Sequence, residues 1–273
     1  MRWTAISLLL TLSFGGVASA REIGPEAFER LPDVDVVFLG EIHDNPYHHV
    51  NQARAVRAIA PAALVFEMLG AGDVDALPED RSDAAAMAAA TRWEDRGWPD
   101  FSMYHPIFTA APEARIYAGD PGTADVRRAL REGAAAVFGA GAERFGLTEP
   151  LAGEDQARRE AGLQAAHCDA LPTAALAGMV EAQRLRDASL ADAALRALED
   201  TGGPVVVITG VEHARTDIGA PALLRLAKPD VTVLSIAQLE AIPTGRPPHH
   251  LWVLTEGVPE RGDPCAVFEQ QGG

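Results

Sequence analysis

Residues 34–46 read VDVVFLGEIHDNP. The first six, Val34 to Leu39, form a nearly continuous apolar run, the composition of a strand covered on both faces by helices. Gly40 breaks the run, and Asp44 or Asn45 then stands ready to cap a helix whose first position is Pro46 and whose pattern continues to about Ala60. A second short apolar run, Ala63 to Phe66, follows at once and ends on Glu67. Strand, capped helix, strand is the opening of a parallel α/β sheet.

Working outward, the same kind of run recurs at Ala114 to Ala118, ahead of the turn Gly119-Asp120-Pro121-Gly122, and at Val205 to Thr209, ahead of Gly210. Val231 to Ile236 reads as a last central strand, and Leu251 to Leu254 as a final extended segment after the proline-rich stretch 243–248. Residues 122–200 are dominated by Ala, Arg, Glu and Leu at helical spacing, with a glycine-rich break between Gly139 and Gly153. The alanine run Ala84 to Ala90 is helix for the same reason. The predicted fold is α/β, a mostly parallel central sheet flanked by helices, with a helical insertion around residues 122–200.

The chain has 273 residues with 48% hydrophobic and 23% charged, which sets aside disordered and fibrous classes. Its net charge of −16, with only 23 Lys and Arg, argues against nucleic acid or an anionic membrane as a partner. No Ser-centred elbow, P-loop or dinucleotide fingerprint is present. Residues 1–20 read as an export signal: Arg2, an apolar stretch from Ile6 to Phe14, and Ala18-Ser19-Ala20 before Arg21. A short membrane anchor is the other reading of the same stretch. Residues 21–273 then form one elaborated α/β domain, periplasmic or otherwise exported, with no transmembrane segment once the signal is removed. In an oxidising compartment the two cysteines, Cys168 and Cys265, are expected to pair.

In parallel sheets ligands gather at the carboxyl ends of the strands. Glu41 and His43 follow the first strand, Glu67 ends the second, Asp120 follows the third, and Glu212 and His213 follow the fourth. Two of these places share the form Gly-x-x-His, Gly40 to His43 and Gly210 to His213, where glycine is expected to let the chain turn off the strand. Two imidazoles and a carboxylate suit an open divalent metal site, acid–base work, or a carboxylated cofactor. They equally suit the capping of backbone groups at strand ends. His48 and His49 read as solvated, with only His48, four residues before Gln52, sharing an inward face. On a later helix Gln183 and Asp187 share a face with Leu190 and Ala194, with Arg186 beside them, which suggests either a buried polar network or an exposed pattern. Trp93, Trp98, Phe101, Tyr104, His105 and Phe108 form the densest aromatic patch, either core or a face for a flat apolar ligand.

Taken in order, GEIHDNPYHH (40–49) with Gln52, Glu67-Met68, WPDFSMY (98–104), QRLRDASLA (183–191), GVEHARTDIGAP (210–221) and RGDPC (261–265) resemble the ChaN-like haem-binding uptake family of the Tiki/TraB-type superfamily. Leu190, where the family often has Met, and Asp120-Pro121, in place of an Asn-containing turn, are departures. The lipid-attachment cysteine of some members is missing. The resemblance implies an exported protein of haem or iron uptake, with Glu41, His43, Glu67, Gln183, Arg186, Asp187, His213 and Arg215 in the pocket. Haem needs an axial ligand, propionate partners and an apolar wall. Among the three tyrosines Tyr104 is preferred as ligand for its place in the aromatic patch, Tyr47 is second, and Tyr117 is the third. Arg186, Arg215 and a histidine are expected to meet the propionates. A homodimer would complete a flat site at a subunit contact. The wider superfamily implies the alternative, a metal-dependent hydrolase using Glu41, His43, Glu67 and His213.

Overall fold

The structure, a computed structural model, describes residues 20–263, 265 and 266. The expected export signal and its cleavage site lie outside the described residues, apart from Ala20. In chain order the elements are β1 (Arg21–Glu22), β2 (Val36–Glu41), α1 (Pro46–Ile59), β3 (Ala63–Phe66), α2 (Ala71–Ala76), α3 (Ala84–Ala90), α4 (Phe101–Ala110) and β4 (Arg115–Ala118). There follow α5 (Thr123–Glu132), α6 (Ala134–Phe138), α7 (Gly153–Ala166), α8 (Thr173–Thr201), β5 (Val205–Gly210), α9 (Ala220–Ala227), β6 (Val233–Leu239) and β7 (Leu251–Leu254).

Among the described residues the seven strands make one sheet of order β1-β7-β6-β2-β5-β3-β4, and every pairing is parallel. The opening stretch of sequence lies at its centre, with β2 between β6 and β5. Strand residues alternate between two cores, which is why the strands read as unbroken apolar runs. Val36 and Phe38 join Leu185, Leu190 and Leu195 of α8 on one face. Val37 and Leu39 join Tyr104 and Phe108 of α4 on the other. The aromatic patch is part of this second core: Phe66 stacks on Phe108 at 4.2 Å, and Trp93 packs against Phe101 and Tyr104.

Asn45 supplies the cap of α1, its side chain accepting from the Tyr47 N–H, with Pro46 at the first position as the sequence predicts. Residues 123–201 contain α5 to α8 and no strand. Cys168 and Cys265 are joined as a disulfide across a separation of 97 residues. No helix among the described residues is long and apolar enough to cross a membrane.

Candidate functional site

The sheet register brings the two Gly-x-x-His segments together. β2 and β5 are neighbours, with Glu41 opposite Gly210, and β3 lies on the far side of β5 with Phe66 opposite Ile208. The chain therefore leaves three adjacent strands at one height, carrying His43, His213 and Glu67 to the same place. Both glycines sit inside their strands, and neither has a positive φ. Their role is close approach and not the turn expected from the sequence. A Cβ on Gly210 would stand 3.2 Å from His43 Nε2, and one on Gly40 would meet Val211 Cα at 3.0 Å and Ala214 Cβ at 3.1 Å.

Each imidazole is oriented by a carboxylate. His43 Nδ1 donates to Glu41 Oε1 at 2.8 Å, and His213 Nδ1 donates to Asp187 Oδ1 at 2.7 Å. The opposite nitrogens face Glu67 Oε1, at 3.9 Å from His43 Nε2 and 3.7 Å from His213 Nε2. Glu67 Oε2 accepts from the Thr209 hydroxyl and the Gly210 N–H, both at 2.7 Å, which fixes the carboxylate. Burial opposes its charge, yet His213, His43 and these two donors hold the Glu67 pKa below the usual carboxylate value. Burial likewise opposes the charge on His213, and Glu67 with Asp187 outweighs it, holding the His213 pKa up to about 9.

Beneath His43 lies a buried polar network. Glu41 Oε1 also accepts from the Tyr104 hydroxyl at 2.6 Å, and Oε2 accepts from Gln52 Nε2 at 2.5 Å. His49 Nε2 donates to the His43 carbonyl at 2.8 Å, while its Nδ1 stands 3.1 Å from Gln52 Oε1 and 3.4 Å from Glu41 Oε2. With acceptors at both nitrogens, the protonated ring satisfies the network, and Glu41 raises the His49 pKa against burial. His48 is also buried: it accepts the Ile42 N–H, and burial pushes its pKa down to about 4. The expectation that His48 and His49 are solvated is therefore corrected, and the Gln52 partner is His49 at i,i+3.

These groups floor a cavity of about 850 Å³. Glu41, His43, Glu67, Gln183, Asp187, Glu212, His213 and Arg215 line it, as do Arg158, Arg159, Leu163, Ala166 and His167 from α7 and the segment after it. Ile42, Val180, Val211 and Ile218 add apolar wall. Of the two readings of the Gln183–Asp187 face, burial holds for Asp187, which pairs with His213, while Arg186 is half-buried outside the lining and joins no network with it. Asp120 is held elsewhere by Arg96 at 3.1 Å and by the Gly122 N–H. None of the three tyrosines lines the cavity. Tyr104 is fully buried, and burial together with Glu41 drives its pKa upward, away from a phenolate. Tyr47 is 48% exposed with its hydroxyl on Glu256, and the Tyr117 hydroxyl donates to Asp200. The preference for Tyr104 as an iron ligand is thus corrected by its position behind Glu41. Glu41 is also unsuited to the metal set Glu41, His43, Glu67 and His213, because both its oxygens are engaged. Among the described residues no group of three His, Cys, Asp or Glu side chains is gathered closely enough to hold a metal ion.

Sequence reasoning missed the contribution of α7. Its one signal was the spacing of Arg159, Leu163 and Ala166 at i, i+4 and i+7, and nothing in that spacing placed the helix over the strand ends.

The fold and site define a class: a parallel α/β protein with a cavity at the carboxyl ends of three adjacent strands, floored by two carboxylate-oriented histidines. The chain belongs to the family described as haem-binding uptake, Tiki superfamily, ChaN, whose model matches residues 27–224. Among solved structures it is similar to ChaN of Campylobacter jejuni, described for its cofacial heme binding. The two are 17% identical over 83% of this chain and 88% of that chain, with a TM-score of 0.61. A second similar structure is the type III effector HopBA1, 14% identical over 86% of this chain and 94% of that chain, with a TM-score of 0.45. No curated protein matches the chain.

Proposed function

We propose that this protein binds haem in the cavity between α7, α8 and the carboxyl ends of β2, β3 and β5, as an exported component of haem or iron handling. The observation that carries the reading is the pair of histidines lining a cavity within the size range of ligand pockets, about 300–1,000 Å³, in a chain of the haem-binding uptake family. The donor set fits the group. His43 offers the imidazole nitrogen that haem iron accepts, with His213 as a charged ring beside it, Leu163, Val180 and Ile218 offer apolar wall, and Arg158, Arg159 and Arg215 bring cations to the lining. Haem, when bound, supplies a redox-active iron. Glu41 and Asp187 fix the two rings by their Nδ1 protons, as carboxylates commonly do behind metal-ligating histidines. Export is supported by the residues that read as a signal and by the disulfide, which suits an oxidising compartment.

Titration of the purified protein with haemin tests the reading. A saturable shift of the Soret band at stoichiometric amounts is expected, altered by His43→Ala or His213→Ala. Intact folded protein that gives no saturable change ends it.

The second reading, a metal-dependent hydrolase, rests on Glu67 Oε1 facing the Nε2 atoms of His43 and His213 at 3.9 and 3.7 Å, distances at which the described residues form no gathered metal site. It requires bound divalent metal that is lost on His43→Ala. Elemental analysis without metal, and no effect of added metal on stability or hydrolysis, ends that alternative.

A further inference from the structure

Three arginines line the cavity, and two already have anionic partners. Arg158 is exposed and donates to Asp155 at 2.7 Å. Arg215 is held by Asp217 at 2.9 Å and Glu212 at 3.0 Å. Arg159 differs. Its Nε is enclosed with no hydrogen-bond partner, and among the described residues no carboxylate stands within ion-pair distance of its guanidinium. The terminal nitrogens of Arg159 are not enclosed and have no partner among the described residues, and an arginine stays charged in proteins, so this guanidinium is open to an acceptor that the chain does not supply. Gln183, also in the lining, has no hydrogen bond from its amide to any described residue.

The surroundings define the acceptor. On α7, Leu163 and Ala166 lie one and two turns beyond Arg159 on the same face, and all three line the cavity with Val180 of α8. A donor fork beside an apolar strip matches a carboxylate carried on an apolar body, and guanidinium pairs with carboxylate through two parallel N–H···O bonds. We propose that Arg159 recognises a carboxylate of the bound ligand, with Gln183 a further free donor in the same cavity. This rests on the haem reading, under which the carboxylate is a propionate. It also replaces Arg186, which is outside the lining, and Arg215, whose guanidinium is already paired.

The test compares haemin with its dimethyl ester, whose carboxylates are masked, on the wild type and on Arg159→Gln and Arg159→Lys. Haemin is expected to bind Arg159→Gln at least about tenfold more weakly, equivalent to about 1.4 kcal/mol, with the Soret position unchanged because His43 is intact. The ester is expected to bind wild type and Arg159→Gln alike, and Arg159→Lys to regain part of the haemin affinity. Equal haemin affinity in wild type and Arg159→Gln overturns the assignment and leaves the haem reading standing. Equal losses for haemin and ester overturn it too, since the arginine would then act on the wall and not on a carboxylate. A wild type that binds neither compound overturns the haem reading itself.

Discussion

The raised pKa of His213 makes stability depend on pH in a direction that can be worked out. Its ring is 13% exposed, and Glu67 and Asp187 hold its folded pKa up to about 9 against an ordinary 6.5. A group whose folded pKa is raised contributes stability that is full below the unfolded value and is lost as pH climbs through the folded one. The difference of about 2.5 units corresponds to about 3 kcal/mol, lost at about 1.4 kcal/mol per pH unit between roughly pH 6.5 and 9. The reference protein needs care. His213→Gln alone would leave Asp187 buried without its cation, and burial already raises the pKa of that carboxyl, so its own proton uptake would enter the same range. The double variant His213→Gln/Asp187→Asn removes both titrating partners and leaves Glu67 beside His43. Urea unfolding with the disulfide intact, in half-unit steps from pH 6 to 10, should show the stability advantage of the wild type shrinking by about 3 kcal/mol. A difference that stays level to within about 1 kcal/mol over that range would refute the charged His213 between two carboxylates.

Tyr104→Phe should cost about 1.5–3 kcal/mol in urea unfolding by deleting a hydrogen bond to the buried Glu41 carboxylate, and should leave the haemin Soret band where it was. A displaced band would restore Tyr104 as an iron ligand. Glu41→Gln should cost about 3–5 kcal/mol, because it leaves the cationic His49 buried without its counter-charge and offers N–H groups to other donors; a loss under 1 kcal/mol on the same unfolding curve would contradict that arrangement. Cys168→Ser/Cys265→Ser should lower stability at pH 7 by about 4–5 kcal/mol through the entropy of the loop that the bond closes across 97 residues. Mass spectrometry showing two free thiols in protein from an oxidising compartment would remove the basis for that loss.

The fold was legible because each central strand is covered on both faces. Val36 to Leu39 and Val205 to Ile208 are fully buried, and two-sided burial leaves an unbroken apolar signature. The site was legible where its residues follow those strands: His43, Glu67 and His213 come from strand ends, and register alone brings them together. It was not legible where a tertiary neighbour decides. An aromatic patch with a tyrosine suits core and ligand face equally, and only the location of Glu41 between Tyr104 and His43 turns the hydroxyl away from the cavity. His48 and His49 look like surface residues because their partners, Thr255 and Glu41, stand on other segments. The spacing of Arg159, Leu163 and Ala166 gave α7 a face but not a place, because the position of that helix is set by α8, with which it packs, and by the segment running to the disulfide.

The two Gly-x-x-His segments are alike in sequence and unlike in chemistry, and the difference lies in where the orienting carboxylate comes from. Glu41 sits two residues from His43 on its own strand, and its second oxygen is tied to Gln52 beside a cationic His49, so that much of its charge is already answered. Asp187 reaches His213 from α8, and no other described residue donates a hydrogen bond to it. The ring of His43 is 32% exposed, and that of His213 is 13% exposed. Both conditions lean the same way. His213 is the ring that holds its proton more firmly, because it is the drier of the two and its Nδ1 is the only described donor to Asp187. His43 is the more exposed ring; Glu41 and Glu67 raise its pKa against burial as well, but the Glu41 charge is shared with His49. Of the two rings, His43 is therefore the one that gives up its proton more readily to a ligand that binds a neutral imidazole, and His213 is suited to stay charged beside Glu67. Comparing His43→Ala with His213→Ala in the haemin titration separates these roles: the first should move the Soret band, and the second should chiefly weaken binding.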